Sequence, residues 1–109
     1  MGTMVHGNVS IDFEDRLLSH LQIVIVQRFR RNEPLIMSWL DAVSVGDGRS
    51  SMWMTPHLPM YFKFAGSRVP AIDEQWLKQL TASADSSRGL ILTSPSGELA
   101  RAIGSVRLA

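Results

Sequence analysis

The chain contains no cysteine, and this absence excludes several kinds of function. A protein without thiols has no disulfide framework, no thiolate metal site and no cysteine nucleophile. The absence also fits a reducing compartment. The N-terminus lacks the basic and apolar regions of a signal peptide, and the longest apolar run, Ile23–Val26, is far shorter than the roughly 20 residues that span a bilayer. We therefore expect a cytoplasmic protein that makes no membrane contact.

A large excess of charge of either sign is also missing. The formal net charge is +1, so the chain as a whole does not attract nucleic acid, and any anion binding must come from local clusters. The chain has 109 residues, of which 45% are hydrophobic and 19% are charged, as in a single globular domain. We expect one α+β domain over residues 1–95, followed by a C-terminal tail over residues 96–109.

The spacing of apolar residues predicts a mostly antiparallel sheet with two helices, in the element order ββαβββαβ. Apolar side chains recur every three or four positions between residues 14 and 30, which indicates an amphipathic helix. Asp47-Gly48 lies between two alternating apolar runs, which indicates a hairpin within an antiparallel meander of three strands. The predicted strands span residues 3–6, 9–13, 35–41, 51–55, 59–65 and 89–93, and the second helix begins near residue 72.

Two further expectations concern the ends of these elements. Asp12 precedes the first helix and can serve as its N-cap, because a carboxylate at that position accepts hydrogen bonds from free amides. In the tail, the apolar residues either dock as a short helix or fray. These residues are Leu99, Ile103, Val106 and Leu108.

Several short motifs give the chain a resemblance to a known family. The motifs are Phe13-Glu14-Asp15-Arg16-Leu17-Leu18, His20-Leu21-Gln22, Ser44-Val45-Gly46-Asp47-Gly48-Arg49-Ser50-Ser51, Phe62-Lys63-Phe64, Gly66-Ser67-Arg68 and Pro70-Ala71. Together they resemble a family of short uncharacterised bacterial proteins, some of which carry the name "ATP-dependent DNA ligase". The resemblance covers residues 1–93, which is most of the chain.

ATP-dependent ligation requires particular residues, which can be looked for in this sequence. An ATP-dependent ligase takes up AMP on a lysine set in a Lys-x-Asp-Gly motif. The one Asp-Gly pair of this chain is Asp47-Gly48, and Val45 occupies the lysine position. A chain of 109 residues is also too short to hold both a nucleotidyltransferase domain and an oligonucleotide-binding domain. The sequence therefore excludes an autonomous ligase and leaves an accessory role open.

No other catalytic or cofactor-binding pattern is present in the sequence. The three histidines lack the spacing of metal ligands, and the serine-rich turns lack a Gly-x-Ser-x-Gly elbow. Gly46-x-Gly48 lacks the remaining glycine and the flanking helix of a dinucleotide-binding fingerprint. We therefore expect no catalytic residue, no metal ion and no cofactor.

The first candidate surface is an anion site at one pole of the fold. If the elements run antiparallel in order, the turn at 44–51, the loop at 66–70 and both helix N-termini meet at this pole. Arginines and helix N-termini both favour anions. Alternatively, carboxylates of the same pole cap the helices and pair with the arginines. The anion-binding candidates are Arg49, Ser50, Ser51, Ser67 and Arg68.

The second candidate surface is a basic cluster at the opposite pole, which can contact phosphates. Alternatively, arginines at the end of the first helix compensate the negative C-terminal end of its dipole. The nucleic-acid candidates are Arg28, Arg30, Arg31 and Arg88.

The third candidate surface is an outer sheet face. In the strand at 59–65, Phe62 and Phe64 alternate with Tyr61 and Lys63, so one pair faces the core and the other faces away. We expect Trp53 to join Tyr61 and Lys63 on the outer face as an interface candidate. Such a face can stack unpaired bases, bind a partner or a second copy of the chain, or be covered by the tail.

These observations favour a small non-catalytic binding or self-association module that forms a homo-oligomer, most simply a homodimer. The alternative is an accessory nucleic-acid-binding protein linked to DNA repair or ligation, in which nucleic-acid binding is weak. An enzymatic role in DNA joining ranks third.

The purified protein should not take up AMP from ATP, because the motif position holds valine, which cannot form a phosphoramide. Incubation with labelled ATP and magnesium, followed by denaturing electrophoresis, is the direct measurement. A labelled band that disappears in Lys63→Ala or Lys78→Ala would contradict this prediction and the non-catalytic interpretation together.

Overall fold

The strand–turn–strand pattern at the start of the chain forms a hairpin in the computed structural model, which describes all 109 residues. The α+β class is confirmed, and the predicted element order is confirmed with one strand added at the C-terminus. The elements are β1 (Gly2–His6), β2 (Val9–Phe13), α1 (Asp15–Arg30), β3 (Leu35–Leu40), a 3-10 turn at Val43–Val45, β4 (Arg49–Met54), β5 (Met60–Lys63), α2 (Glu74–Ala84), β6 (Leu90–Ile91) and β7 (Ile103–Leu108). Neither helix combines the length and the apolar character that a membrane crossing requires.

The strands form two sheets rather than one. The first sheet is antiparallel and has the order β5-β1-β2-β7. The second sheet has the order β4-β3-β6, in which β3 pairs antiparallel with β4 and parallel with β6.

The predicted meander of three strands is wrong at its third strand, because β5 pairs with β1 instead of β4. The cause lies in the connection between β4 and β5. The Thr55 amide donates to His6 Nε2 (3.2 Å), and the Gly7 amide donates to the Pro59 carbonyl (3.0 Å). These hydrogen bonds direct the connection to the end of β1, so the following strand joins the first sheet.

Both sheets and both helices contribute to one core. Phe13 of the first sheet packs edge-on against Trp39 of the second, with ring centroids 6.1 Å apart. The alternation predicted for β5 is confirmed, since Phe62 packs against the core whereas Tyr61 and Lys63 are exposed. The most deeply buried side chains are Trp76, Phe13, Met4, Ile11, Leu18, Leu21, Ile25, Met37, Met54, Leu80, Leu90 and Leu92.

The first helix begins one residue later than predicted and is not capped by Asp12. Its N-cap is Glu14, which makes no side-chain capping bond. Asp12 lies within β2, where its carboxylate accepts two hydrogen bonds from Arg107 (2.8 and 2.9 Å) and one from Thr3 Oγ1 (2.7 Å). These donors hold the pKa of Asp12 below its usual value, with the Arg107 hydrogen bond as the largest cause.

The second helix is fastened to the first by a buried histidine. Its N-cap, Asp73, accepts a hydrogen bond from the Trp76 amide (3.0 Å), as the predicted start near residue 72 implies. The His20 imidazole donates from Nδ1 to the Arg16 carbonyl (2.7 Å) and accepts at Nε2 from the Asp73 amide (2.9 Å). Its ring also packs on Trp76 with centroids 4.3 Å apart, so one side chain links both helices.

The tail neither forms a helix nor frays. Residues 103–108 are the strand β7, which pairs antiparallel with β2 and places Val106 against the core. The physical reason is that β2 would otherwise be a sheet edge with unpaired backbone groups, which a further strand satisfies. The ion pair between Arg107 and Asp12 holds this strand to its neighbour.

Stability should depend on the protonation of His6, which is buried in β1. Burial holds the pKa of His6 below its ordinary value of 6.5, and Nδ1 has no hydrogen-bond partner. His6 therefore binds a proton more readily in the unfolded chain than in the folded one. The free energy of unfolding should be at its full value above pH 6.5 and should decline as the pH falls below it. Chemical denaturation across this range measures the decline.

The variant His6→Gln retains an acceptor for the Thr55 amide but does not titrate. Its free energy of unfolding should change less with pH than that of the unaltered protein. An equal decline in both proteins would assign the pH dependence to another group.

Candidate functional site

The central strand of the second sheet separates its side chains cleanly between the core and solvent. Leu35, Met37 and Trp39 are buried, so the two-residue period of a strand turns Ile36 and Ser38 outward. No helix covers this outer face, because both helices bury their apolar sides in the shared core. The outer face of the second sheet is therefore open to solvent.

Strand β4 supplies one side of this face. Its register places Trp53 beside Ile36, Ser51 beside Ser38 and Arg49 beside Leu40. The hydroxyl groups of Ser38 and Ser51 hydrogen bond to each other (2.8 Å) on the floor of the face. The three β4 residues are exposed, and Trp53 retains 63% of its surface.

The other side of the face comes from β6 and its flanking loops. Ile91 of β6 lies beside Ser38, Arg88 precedes the strand, and Leu99 follows from the hairpin before β7. Together these residues enclose a groove of about 560 Å³ above β3, which we call the β3 groove. It is lined by Ile36, Ser38, Trp39, Leu40, Arg49, Ser51, Arg88, Ile91, Leu92 and Leu99.

The charge of the β3 groove is positive and uncompensated. Arg49 and Arg88 line it, no acidic residue does, and neither arginine makes an ion pair. The nearby Arg101 is different, because it pairs with Asp47 (2.6 Å). The groove therefore combines an apolar floor with two free guanidinium groups.

The anion-binding candidates do not form one site. Arg49 and Ser51 lie in the β3 groove, whereas Ser50 points to the other face of β4 and donates to Asp41 (2.7 Å). Ser67 and Arg68 line a separate groove of about 310 Å³ against helix α1. We call this second depression the α1 groove; Ile23, Phe64 and Ile72 are among its lining residues.

The side chain of Asp15, at the start of α1, accepts hydrogen bonds from the loop after β5. Asp15 accepts hydrogen bonds from the Gly66 amide (3.0 Å) and the Ala65 amide (3.1 Å), and these bonds lower the pKa of Asp15. At this pole, Asp15 and the N-cap Asp73 therefore bind backbone amides, as in the alternative to an anion site.

The nucleic-acid candidates are also divided. Arg28 pairs with Asp85 (3.0 Å) and Arg31 pairs with Glu33 (2.9 Å), so carboxylates already compensate two members of the cluster. Arg30 is exposed and makes no ion pair. Arg88 lies in the β3 groove on the β6 side, across β3 from Arg49 and toward the other end of that strand.

The interface candidates do not share a face, and the expectation that Trp53 joins Tyr61 is wrong. Trp53 lies on the outer face of the second sheet, whereas Tyr61 and Lys63 lie on the first. The reason is the pairing of β5 with β1, which separates two strands that are neighbours in sequence.

The structure contains no group of three His, Cys, Asp or Glu side chains that could hold a metal ion. The placement of Arg88 and Arg49 along one groove is the feature that sequence reasoning missed. It depends on the parallel pairing of β6 with β3, for which the local pattern of residues 89–93 carries no signal.

The family comparison identifies the class of domain but no activity. Residues 1–95 match the protein family described as "Domain of unknown function (DUF7882)". No curated protein and no solved structure matches the chain. The matched region includes β3, β4 and both arginines of the β3 groove.

Gly89→Ala should disrupt the β3 groove. Gly89 has a positive φ of 78°, and a Cβ atom there would meet the carbonyl oxygen and Cγ2 of Ile36. Gly97 is a matched control, because it also has a positive φ but its Cβ would meet nothing. Gly97→Ala should cost about 1 kcal/mol of backbone strain. Gly89→Ala should cost at least about 1 kcal/mol more through overpacking. Equal losses in denaturant unfolding would contradict the close approach at Ile36.

Proposed function

We propose that this chain, which belongs to the DUF7882 family of domains of unknown function, is a non-catalytic binding module whose ligand occupies the β3 groove. The single observation that carries the proposal is the pair of uncompensated arginines on the two sides of an apolar groove. Surface arginines of this chain are otherwise mostly paired, as the contacts of Arg28, Arg31 and Arg101 illustrate.

The chemistry of the groove favours a ligand that is anionic and has a flat apolar part. Each guanidinium group presents several donors to a carboxylate, sulfonate or phosphate group. The floor offers Ile36, Leu40 and Ile91 to an apolar surface, and its volume is that of a small-molecule site. The adjacent indole of Trp53 extends the apolar surface beyond one end of the groove.

The same charge argues against a second copy of the chain lying face to face on the groove. A symmetric contact of that kind would place the arginines of both copies against surfaces without carboxylates. The expected self-association therefore needs a different surface.

Accessory binding of single-stranded nucleic acid is a second candidate function. The observation that favours it is the exposed Trp53 next to one end of a groove that two arginines line, since unpaired bases stack on aromatic side chains while arginines contact phosphates. The paired arginines at the end of α1 support it less, because phosphates would have to displace their carboxylates.

The dye anilinonaphthalene sulfonate is a suitable probe of the β3 groove, because it joins aromatic rings to one anionic group. Dye fluorescence titrations should give an affinity that falls about tenfold or more in Arg49→Gln with Arg88→Gln, since hydrogen bonds to charged groups contribute roughly 1.5–3 kcal/mol. The matched control is Arg30→Gln with Arg68→Gln, which removes the same charge elsewhere. Equal affinities in the two double variants would contradict the proposal.

An octathymidylate titration separates the second candidate from the first. Trp39 and Trp76 are buried, so quenching of tryptophan fluorescence by the oligonucleotide would report on Trp53. With two phosphate contacts, the logarithm of the binding constant should fall with the logarithm of salt concentration with a slope of about −1.4. If the dye binds but octathymidylate does not quench the tryptophan fluorescence, the groove remains a small-molecule site and the nucleic-acid candidate is rejected.

A further inference from the structure

Strand β4 is the one sheet edge of the molecule that has no structural protection. The order β4-β3-β6 leaves one side of β4 without a neighbour, and its register with β3 is regular over six residues. The strand contains no proline and no lysine, which commonly protect an edge, and its one charged residue, Arg49, lies at its first position. An edge of this kind can pair with another strand.

The other three edges are each blocked. Strand β6 has only two residues, and Ser83 Oγ accepts from the Ile91 amide and donates to the Gly89 carbonyl. Strand β7 contains a register shift and a glycine with positive φ at Gly104. Strand β5 is four residues long and follows Pro59. The contrast singles out β4.

The hydrogen bonds of the β3–β4 pair show which backbone groups remain free. The Asp41 amide donates to the Gly48 carbonyl (2.8 Å), so by the antiparallel alternation residues 50, 52 and 54 direct their backbone groups toward β3. Arg49, Ser51 and Trp53 direct their amides and carbonyls away from β3, toward the free edge. No other backbone group of the protein pairs with them.

We propose that β4 pairs antiparallel with β4 of a second copy of this chain, about a twofold axis at Ser51. In this register Arg49 lies opposite Trp53 of the other copy at both ends, and the three free residues of each strand exchange about six backbone hydrogen bonds. Both side chains project on the outer face, where a guanidinium can stack on an indole. The small hydroxymethyl group of Ser51 lies at the centre and lets the strands approach.

Other symmetric registers fit less well. Centring the axis on Arg49 would place the two arginines directly opposite each other, and like charges in that position repel. Centring it on Trp53 leaves both arginines without an aromatic partner. Only the register centred on Ser51 pairs all three free residues of each strand with one another, and it joins the two three-stranded sheets into one sheet of six strands. The edge pairing needs no ligand in the β3 groove, and Arg49 both lines that groove and faces Trp53 of the other copy.

Sedimentation equilibrium tests the dimer with a pair of complementary substitutions. Trp53→Arg should weaken dimerisation by tenfold or more, because it places arginine opposite Arg49. The double variant Arg49→Trp with Trp53→Arg restores the opposite pairing and should recover the dimer. Tyr61→Arg is the matched control, since it adds the same charge to an exposed aromatic position on the first sheet and should leave dimerisation unchanged.

Amide hydrogen exchange provides a second readout on the unaltered protein. The amides of Arg49, Ser51 and Trp53 should exchange more slowly in concentrated than in dilute samples, whereas the exchange rates of the β7 amides should not change.

Near-UV circular dichroism verifies that each variant used in sedimentation is folded. A protein that stays monomeric at all accessible concentrations, or a dimer that tolerates Trp53→Arg as well as Tyr61→Arg, would overturn the proposal.

Discussion

Strand β3 imposes the constraint on which the outer face of the second sheet depends. Its inward residues, Leu35, Met37 and Trp39, are needed to close the core, and Trp39 meets Phe13 of the first sheet edge-on. Because strand side chains alternate, the intervening residues must face outward. Both helices are committed to the same core, so no element remains to cover them. The open groove is thus a direct consequence of how the core is filled.

Polar contacts elsewhere in the molecule hold this arrangement, and most of the carboxylates take part in them. Asp12 anchors β7 through Arg107, Asp15 holds the loop after β5, and Asp73 caps α2 while its amide meets His20. Asp85 and Glu33 compensate the arginines at the end of α1. The arginines of the β3 groove lie outside these contacts, so the electrostatic character of that face follows from where the acidic residues are used.

Local sequence patterns predicted the elements well, because each depends on neighbouring residues. The helical period identified α1, Asp47-Gly48 identified the β3–β4 hairpin, and alternation in β5 identified Phe62 as facing the core and Tyr61 as exposed. Strand pairing beyond the two hairpins was predicted poorly, because it depends on long-range contacts. Nothing near β5 reveals that it pairs with β1, and nothing near β6 reveals a parallel neighbour. Arg49 and Arg88 line one groove because of that parallel pairing, so the candidate site could not be assembled from sequence alone.

The proposed binding surface of this domain is the β3 groove rather than the α1 groove. Isoleucine methyl groups distinguish the two directly, because Ile36 and Ile91 line the first whereas Ile23 and Ile72 line the second. The measurement is a titration of methyl-labelled protein with anilinonaphthalene sulfonate, followed by methyl chemical shifts. A ligand in the β3 groove should produce saturable shifts at Ile36 and Ile91 with little change at Ile23 and Ile72. Shifts confined to Ile23 and Ile72 would contradict it.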